Sequence, residues 1–353
     1  MPESIDPGNK NRFFASEKSS YSTEIVNYSG YEEWEIQEKG VRQWLAPIPA
    51  ERFVLFPDIS PTEPGIVPTG VLAEINMETH PDWRRYIRGA DIGCGMLGAD
   101  LSILRTDFSS EQQSLDELYV LLKKEGLDVC FGGNHFINFA AGADDHVFVL
   151  IHTGSYGDRQ KILGNLVEQP AKYDAEYVRT IDSGVETRKK IMDQIARVYG
   201  KPSNQFDTVH NTISIDPKTG LAHIYKGVVH VQREGELQIL PSSLSGKMIR
   251  YQAGAGAQFV TGTSHGTGRM VSRGKMNLEK EILAELYEER IQDGRIEGQK
   301  LGIMVPIGMR WPMTEIEEAY HPIDRSVRLL TEYELALPGS IEYLQPIAGI
   351  KGE

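Results

Sequence analysis

Leu115, Leu118, Leu121 and Leu122 recur at helical spacing behind Ser109-Ser110, and the row stops at Gly126. Apolar residues three and four apart share one helix face, and a serine followed by acidic and amide residues caps a helix start. The pattern predicts an amphipathic helix that begins at Ser109 or Ser110. A second helix is expected over 185–198, with Ile191, Met192, Ile195 and Val198 on one side and Gly200 as its stop. A third begins after Asn277, carried by Leu278, Ile282 and Leu286. Between them the period changes. Residues 147–151 form an unbroken apolar run ending at His152, as in a buried strand. The stretch 208–215 alternates, with His210, Thr212 and Ser214 on one face and Val209, Ile213 and Ile215 on the other. A further strand is expected over 221–232. Strands and helices follow no regular alternation, so the fold class is read as α+β. The chain, 1–353, is taken as one large domain with mixed β-sheets flanked by helices. Residues 1–50 are polar, pinned by Phe13, Phe14, Trp34 and Trp44, and are expected to be a loosely structured N-terminal segment.

Composition narrows the class. With 40% hydrophobic and 25% charged residues the chain reads as globular, and its apolar runs are too short to span a bilayer. Its first twelve residues lack an apolar core, so no secretory signal is expected. Two cysteines, Cys94 and Cys130, make no disulfide framework, which suits a reducing, cytoplasmic setting without a membrane partner. A net charge of −13 argues against broad non-specific nucleic-acid binding, which depends on neutralising phosphates. Local basic grooves stay open at Arg84, Arg85 and Arg88, interleaved with Trp83 and Tyr86, and at Arg188-Lys189-Lys190. The alternative for each is a solvated helix face.

The chemistry lies in glycine turns and strand ends: Asp91-Ile92-Gly93-Cys94-Gly95-Met96, Gly132-Gly133-Asn134-His135, Ile151-His152-Thr153-Gly154-Ser155 and Val209-His210-Asn211. One carboxylate (Asp91), one thiolate (Cys94) and three imidazoles (His135, His152, His210) could hold two divalent ions, with the sulfur bridging. Such a mixed donor set suits Mn²⁺, Zn²⁺ or Fe²⁺ better than Ca²⁺. Taken singly, each histidine has a structural alternative, and Cys94 could be a small buried hydrophobe. Small-residue turns distinguish these three histidines from His80, His146, His223, His230 and His321. His265 stands apart, in Ser264-His265-Gly266-Thr267-Gly268-Arg269. There backbone amides and Arg269 could hold phosphate oxygens, and the imidazole could act as nucleophile in nucleotidyl transfer.

Together these motifs resemble the RtcB family of RNA ligases. The resemblance is carried by the Asp91–Met96 motif, Gly133-Asn134-His135-Phe136, His152-Thr153-Gly154-Ser155, His210-Asn211 and Lys226-Gly227. It continues through the His265–Arg269 motif with Ser272-Arg273, Glu318-Ala319-Tyr320 with Ile323-Asp324, and Ile350-Lys351-Gly352. It implies an RtcB-like fold and a GTP- and Mn²⁺-dependent ligase. Such an enzyme joins RNA bearing a 3′-phosphate or 2′,3′-cyclic phosphate to RNA bearing a 5′-hydroxyl. It further implies that His265 is guanylylated, with Arg269 and Lys351 supporting the nucleotide. Of two Mn²⁺ ions, one would be held by Asp91, Cys94 and His135, the other by Cys94, His152 and His210. The implied GTP site takes Asn134, His135, Asn138, His210, Asn211, Pro241, Ser242, Ser243, Leu244, His265, Gly266, Thr267, Gly268 and Lys351. Departures from the family pattern point to a divergent paralogue. Asn138 stands where glutamate is usual, which predicts looser guanine selectivity. Tyr156 stands where arginine is usual, which predicts a narrow set of RNA ends. Two other readings stay open: a dinuclear metal-dependent phosphoesterase, and an RNA-end-binding paralogue without turnover.

Overall fold

The computed structural model describes residues 12–13, 23–32, 40–60, 65–87, 91–109, 112–127, 135–155, 159–271, 303–307, 309, 315 and 317–351. In chain order its strands are Arg12–Phe13 (β1), Glu24–Asn27 (β2), Arg52–Ser60 (β3), Thr69–Asn76 (β4), Gly95–Leu104 (β5), Phe136–Ala141 (β6) and His146–Thr153 (β7). Then follow Ser203–Val209 (β8), Asn211–Asp216 (β9), Leu221–Lys226 (β10), Val228–His230 (β11), Leu237–Pro241 (β12), Met248–Gln252 (β13), Gly262–Ser264 (β14) and Glu342–Ile350 (β15). The longer helices are Gln112–Lys124 (α1), Pro170–Tyr199 (α2) and Ile323–Glu332 (α3). The expected α+β class is what the chain adopts.

A six-stranded sheet runs β1-β2-β3-β4-β10-β9 and a seven-stranded sheet β12-β13-β15-β6-β7-β5-β8, with β11 and β14 forming a separate pair. The seven-stranded sheet is antiparallel throughout. Its middle strands read as continuous apolar runs because both faces are covered, so no position needs to be polar. Val147, Val149, Leu150 and Ile151 of β7 have no exposed surface. They pack in one core with Leu115, Leu118 and Leu122 of α1 and with Ile191, Met192 and Ile195 of α2.

Several expectations change. The helix read over 185–198 is the C-terminal half of the 30-residue α2. Its first half buries Tyr173, Glu176, Thr180 and Gly184, a face too polar and too small to show as apolar periodicity. The helix after Ser110 starts at Gln112 as described, and Ser109 instead ends a short helix, Arg105–Ser109. The alternating stretch 208–215 is two strands: β8 closes the seven-stranded sheet, β9 edges the six-stranded one, and His210 is the corner between them. The stretch 221–232 breaks at Gly227, whose φ of 62° is left-handed and ends β10 before β11 begins. Part of the N-terminal fifty residues is ordered, since β2 pairs in parallel with β3 and Val41, Leu45 and Ile48 are buried. The helix expected after Asn277, with Phe14, Trp34, Arg88, Cys130, Asn134, Tyr156, Ser272 and Arg273, lies outside the described residues. No described helix is long and apolar enough to cross a membrane.

Candidate active site

Antiparallel pairing brings alternate strand starts and strand ends to one edge of the seven-stranded sheet. Across β15-β6-β7-β5-β8 that edge carries Lys351 after β15, His135 before β6, His152 at the end of β7, Cys94 before β5 and His210 after β8. Register sets the alignment. His152 lies opposite Phe136 on one side and Met96 on the other, and Gly95 lies opposite Val209. Residues scattered over more than 250 positions therefore meet because each closes or opens a neighbouring strand.

Cys94 Sγ is 3.3 Å from His135 Nε2 and 3.4 Å from His152 Nε2. His152 Nε2 is 3.3 Å from His210 Nε2, and Asp91 Oδ2 is 2.8 Å from His135 Nε2. Two overlapping sets result, Cys94-His152-His210 and Asp91-Cys94-His135, and both could hold a metal ion. Imidazoles about 2.0–2.1 Å from a shared tetrahedral ion stand about 3.3–3.4 Å apart, so the spacing fits. The electrostatics fit as well. Burial holds His152 and His210 well below the ordinary histidine range, hence neutral, which is the ligating form. Burial, and then the Asp91 carboxylate, pushes the Cys94 thiol well above its ordinary range, so a buried thiolate there needs a cation beside it. The reading of Cys94 as a mere core filler does not account for two imidazole nitrogens aimed at its sulfur.

Close backbone approach makes this cluster possible. Gly184 of α2 packs so tightly on Gly93 that a Cβ would lie 2.5 Å from the Gly93 carbonyl oxygen. Gly154 leaves room for Asp91, whose Oδ1 would be 3.0 Å from a Cβ there.

His265 follows β14 and stands beside the cluster, outside both ligand sets. Its ring centroid is 4.5 Å from that of His210 and 6.2 Å from that of His152. Its Nδ1 lies 2.5 Å from Asp58 Oδ2 and 2.8 Å from the Gly227 carbonyl oxygen. Both neighbours accept, so Nδ1 carries a proton and is committed to them, and Nε2 is the ring nitrogen that neither Asp58 nor Gly227 engages. Asp58 is 2% exposed, and its other oxygen accepts from Ser264 Oγ at 2.8 Å. The sequence reading missed Asp58. Its only local signal is an aspartate inside the apolar strand β3, where an uncompensated charge would be costly.

A cavity of about 190 Å³ opens beside His265 and reaches His152. Its wall includes Asp58, Ser60, Thr69, Pro241, Ser242, Gly266, Thr267, Gly268, Arg269 and Tyr320. Gly268, at φ 76°, lets this loop close on β3, since a Cβ would sit 2.6 Å from Asp58 Cα. Arg269 lines the cavity with its guanidinium engaged: Nη1 donates to Tyr320 Oη at 2.8 Å and lies 3.4 Å from Glu315. Lys351 Nζ donates to the His135 carbonyl oxygen at 2.9 Å, so the chain does fold back onto the site at this point.

Seven described residues expected at the nucleotide do not line the cavity: His135, His210 and Lys351, which belong to the ligand edge, and Asn138, Asn211, Ser243 and Leu244. Asn138 has no exposed surface, and its Nδ2 donates to the Leu244 carbonyl oxygen at 2.9 Å. Leu244 and Ser243 are buried, with Ser243 Oγ accepting from Gly246 N. Asn211 ties two loops together, donating to Asp91 O at 3.0 Å and accepting from Gly227 N at 2.8 Å. The basic runs divide, with Arg85, Lys189 and Lys190 on exposed helix faces, as one of the two readings had it. Arg84 is paired with Asp174, and Arg85 with Asp82 and Tyr86 Oη. Arg188 is fully buried and belongs neither to a groove nor to a solvated face.

No family model matches the chain, and no curated protein matches it.

Proposed function

We propose that this protein is a GTP- and Mn²⁺-dependent RNA ligase with an RtcB-like fold, joining 3′-phosphate or 2′,3′-cyclic-phosphate ends to 5′-hydroxyl ends. The observation that carries the reading is His265: Nδ1 committed to Asp58 and Gly227 O, with the ring beside but outside two ligand sets that fit divalent ions. A carboxylate and a carbonyl at Nδ1 would also suit a metal ligand, so what sets His265 apart is its place outside both ligand sets with a cavity beside it.

Asp91, Cys94 and His135 would hold one ion, and Cys94, His152 and His210 the other. When bound, the ions supply the positive charge that neutralises a triphosphate. The remaining chemistry belongs to the chain's own groups. Nε2 of His265 attacks the α-phosphorus of GTP, the bond to the β-phosphate oxygen breaks, and pyrophosphate leaves. The imidazole then carries a positive charge, which the Asp58 carboxylate offsets at Nδ1. A cyclic phosphate is first opened by water with cleavage of its bond to the 2′-oxygen; an oxygen of the RNA 3′-phosphate next displaces the guanylyl group from Nε2, and the 5′-hydroxyl oxygen attacks the 3′-phosphorus, losing its proton to solvent as GMP leaves. The Thr267 amide is engaged by the Pro241 carbonyl oxygen at 3.2 Å, so the Gly266 and Gly268 amides would serve the phosphate oxygens, with Lys351 Nζ adding charge at the edge of the site.

The Asp58–His265 pair also suits a general base, which favours a dinuclear phosphoesterase as the second reading. Incubation with α-labelled GTP and Mn²⁺ separates them. Acid-labile, His265-dependent protein-bound GMP is expected. Hydrolysis of a model phosphodiester without any adduct would replace the ligase reading with the phosphoesterase. Binding of RNA ends with neither activity would leave an end-binding paralogue.

A further inference from the structure

Behind the ligand cluster sits a cation that the proposed chemistry does not use. Arg188, on α2, has no exposed surface. Its Nη1 donates to the Gly93 carbonyl oxygen at 2.9 Å and to the Thr153 carbonyl oxygen at 2.8 Å. Its Nε donates to Asp207 Oδ1 at 2.8 Å. These contacts fall beside three candidate ligands. Gly93 precedes Cys94, Thr153 follows His152, and Asp207 lies on β8 three residues before His210. One guanidinium thus ties together the strand termini that bear the buried ligand set.

The surroundings are shaped to admit it. A Cβ on Gly95 would lie 2.9 Å from both Cζ and Nη2 of Arg188, and closer still to the Thr208 carbonyl oxygen. Nη2 itself has no hydrogen-bond partner among the described residues. A buried, incompletely paired cation is a costly way to join strands that already pair along their length. Its placement is explained by what it holds: backbone pairing fixes His152 between Met96 and Phe136 and joins His210 N to Cys94 O at 3.0 Å, and the guanidinium adds a side-chain tie from Gly93 and Thr153 to Asp207 that the ladders do not make.

We infer that Arg188 is a positioning residue, setting the spacing of Cys94, His152 and His210 and thereby the affinity and geometry with which this set takes a divalent ion. The inference rests on the metal-binding part of the proposed function, and not on ligation. Lysine cannot replace the fork: a single ammonium on a shorter stem cannot reach two carbonyls and a carboxylate in one plane. Groups that orient metal ligands from outside the coordination sphere typically contribute about 10–100-fold to affinity, and the same range is expected here.

The test is Co²⁺ titration of the full chain, read by thiolate-to-metal charge-transfer absorption and by the ligand-field bands, alongside the melting temperature of the metal-free protein. Arg188→Lys is expected to remain folded, to bind Co²⁺ about 10–100-fold more weakly and to show shifted ligand-field bands. Asp207→Asn removes one of the three anchors and is expected to give a smaller loss in the same direction. It also stands in if the lysine variant does not fold. A lowered melting temperature with wild-type affinity and an unchanged spectrum, in whichever variant folds, would reduce Arg188 to a structural residue and overturn the inference alone. Failure of the wild-type protein to take up Co²⁺ with a thiolate band would overturn the metal centre and this inference together.

Discussion

Replacing Asp58 by asparagine separates two jobs that the carboxylate performs for His265. Asparagine fits the site without leaving a polar atom unpaired. Its Oδ1 can accept from His265 Nδ1, and its Nδ2 can donate to Ser264 Oγ, whose hydroxyl already has the Gly266 carbonyl oxygen as an acceptor at 2.8 Å. The tautomer survives too, because Gly227 O stays 2.8 Å from Nδ1 and that turn is anchored by Asn211. What disappears is the charge. A hydrogen bond to an ionised group contributes about 1.5–3 kcal/mol and a neutral one about 0.5–1.5 kcal/mol, so about 1–2 kcal/mol is lost as the imidazole becomes cationic. At about 1.4 kcal/mol per tenfold, adduct formation should slow by about 5–30-fold. Loss of the correct tautomer costs far more, about 10⁴-fold in an Asp–His–Ser hydrolase. Single-turnover labelling with α-labelled GTP at saturating Mn²⁺ measures the rate. A change smaller than twofold would show that the buried charge plays no part. A loss as complete as that of His265→Ala would show that Gly227 O does not hold the tautomer.

Four further substitutions test other parts of the site. Cys94→Ala removes the donor shared by both ligand sets and should abolish both binding steps in a metal titration, while His265→Ala should keep metal and GTP binding and form no covalent adduct; retention of metal by the cysteine variant would refute the shared thiolate. Asn138→Asp places a carboxylate against the Leu244 carbonyl oxygen in a site with no exposed surface, so urea unfolding should show a loss of at least about 1–3 kcal/mol. Wild-type stability there would mean that the amide does not hold the Leu244 turn. Gly184→Ala forces a Cβ onto the Gly93 carbonyl oxygen, and overpacking of this kind costs about 1–3 kcal/mol. The urea midpoint and metal affinity should fall together, and a fall in stability alone would detach the α2 contact from the ligand loop.

Local chemistry was legible in the chain itself. Residue types and glycine settings singled out Asp91, Cys94, His135, His152, His210 and His265, which the fold brings to one edge, because donor side chains beside glycine turns can approach one another closely. Apolar periodicity located α1, the second half of α2 and β7, because those faces meet only hydrophobic partners. The rest depended on partners far away in sequence. The split at His210 follows from β8 and β9 pairing into different sheets, which alternation along one segment does not record. The first half of α2 buries Glu176 against Arg159, and Thr180 and Gly184 against the Gly93 loop, so its inward face looks like a surface. Arg188 looked basic and solvated because its Asp207, Gly93 and Thr153 acceptors lie 19, 95 and 35 positions away. Asp58 gained meaning only when β3 came to rest 207 positions from its histidine in sequence and 2.5 Å from it in space. A sequence specifies which groups can coordinate or donate. Only the packed sheets decide which of those groups face one another, since burial, pairing and charge compensation are properties of neighbours rather than of residues.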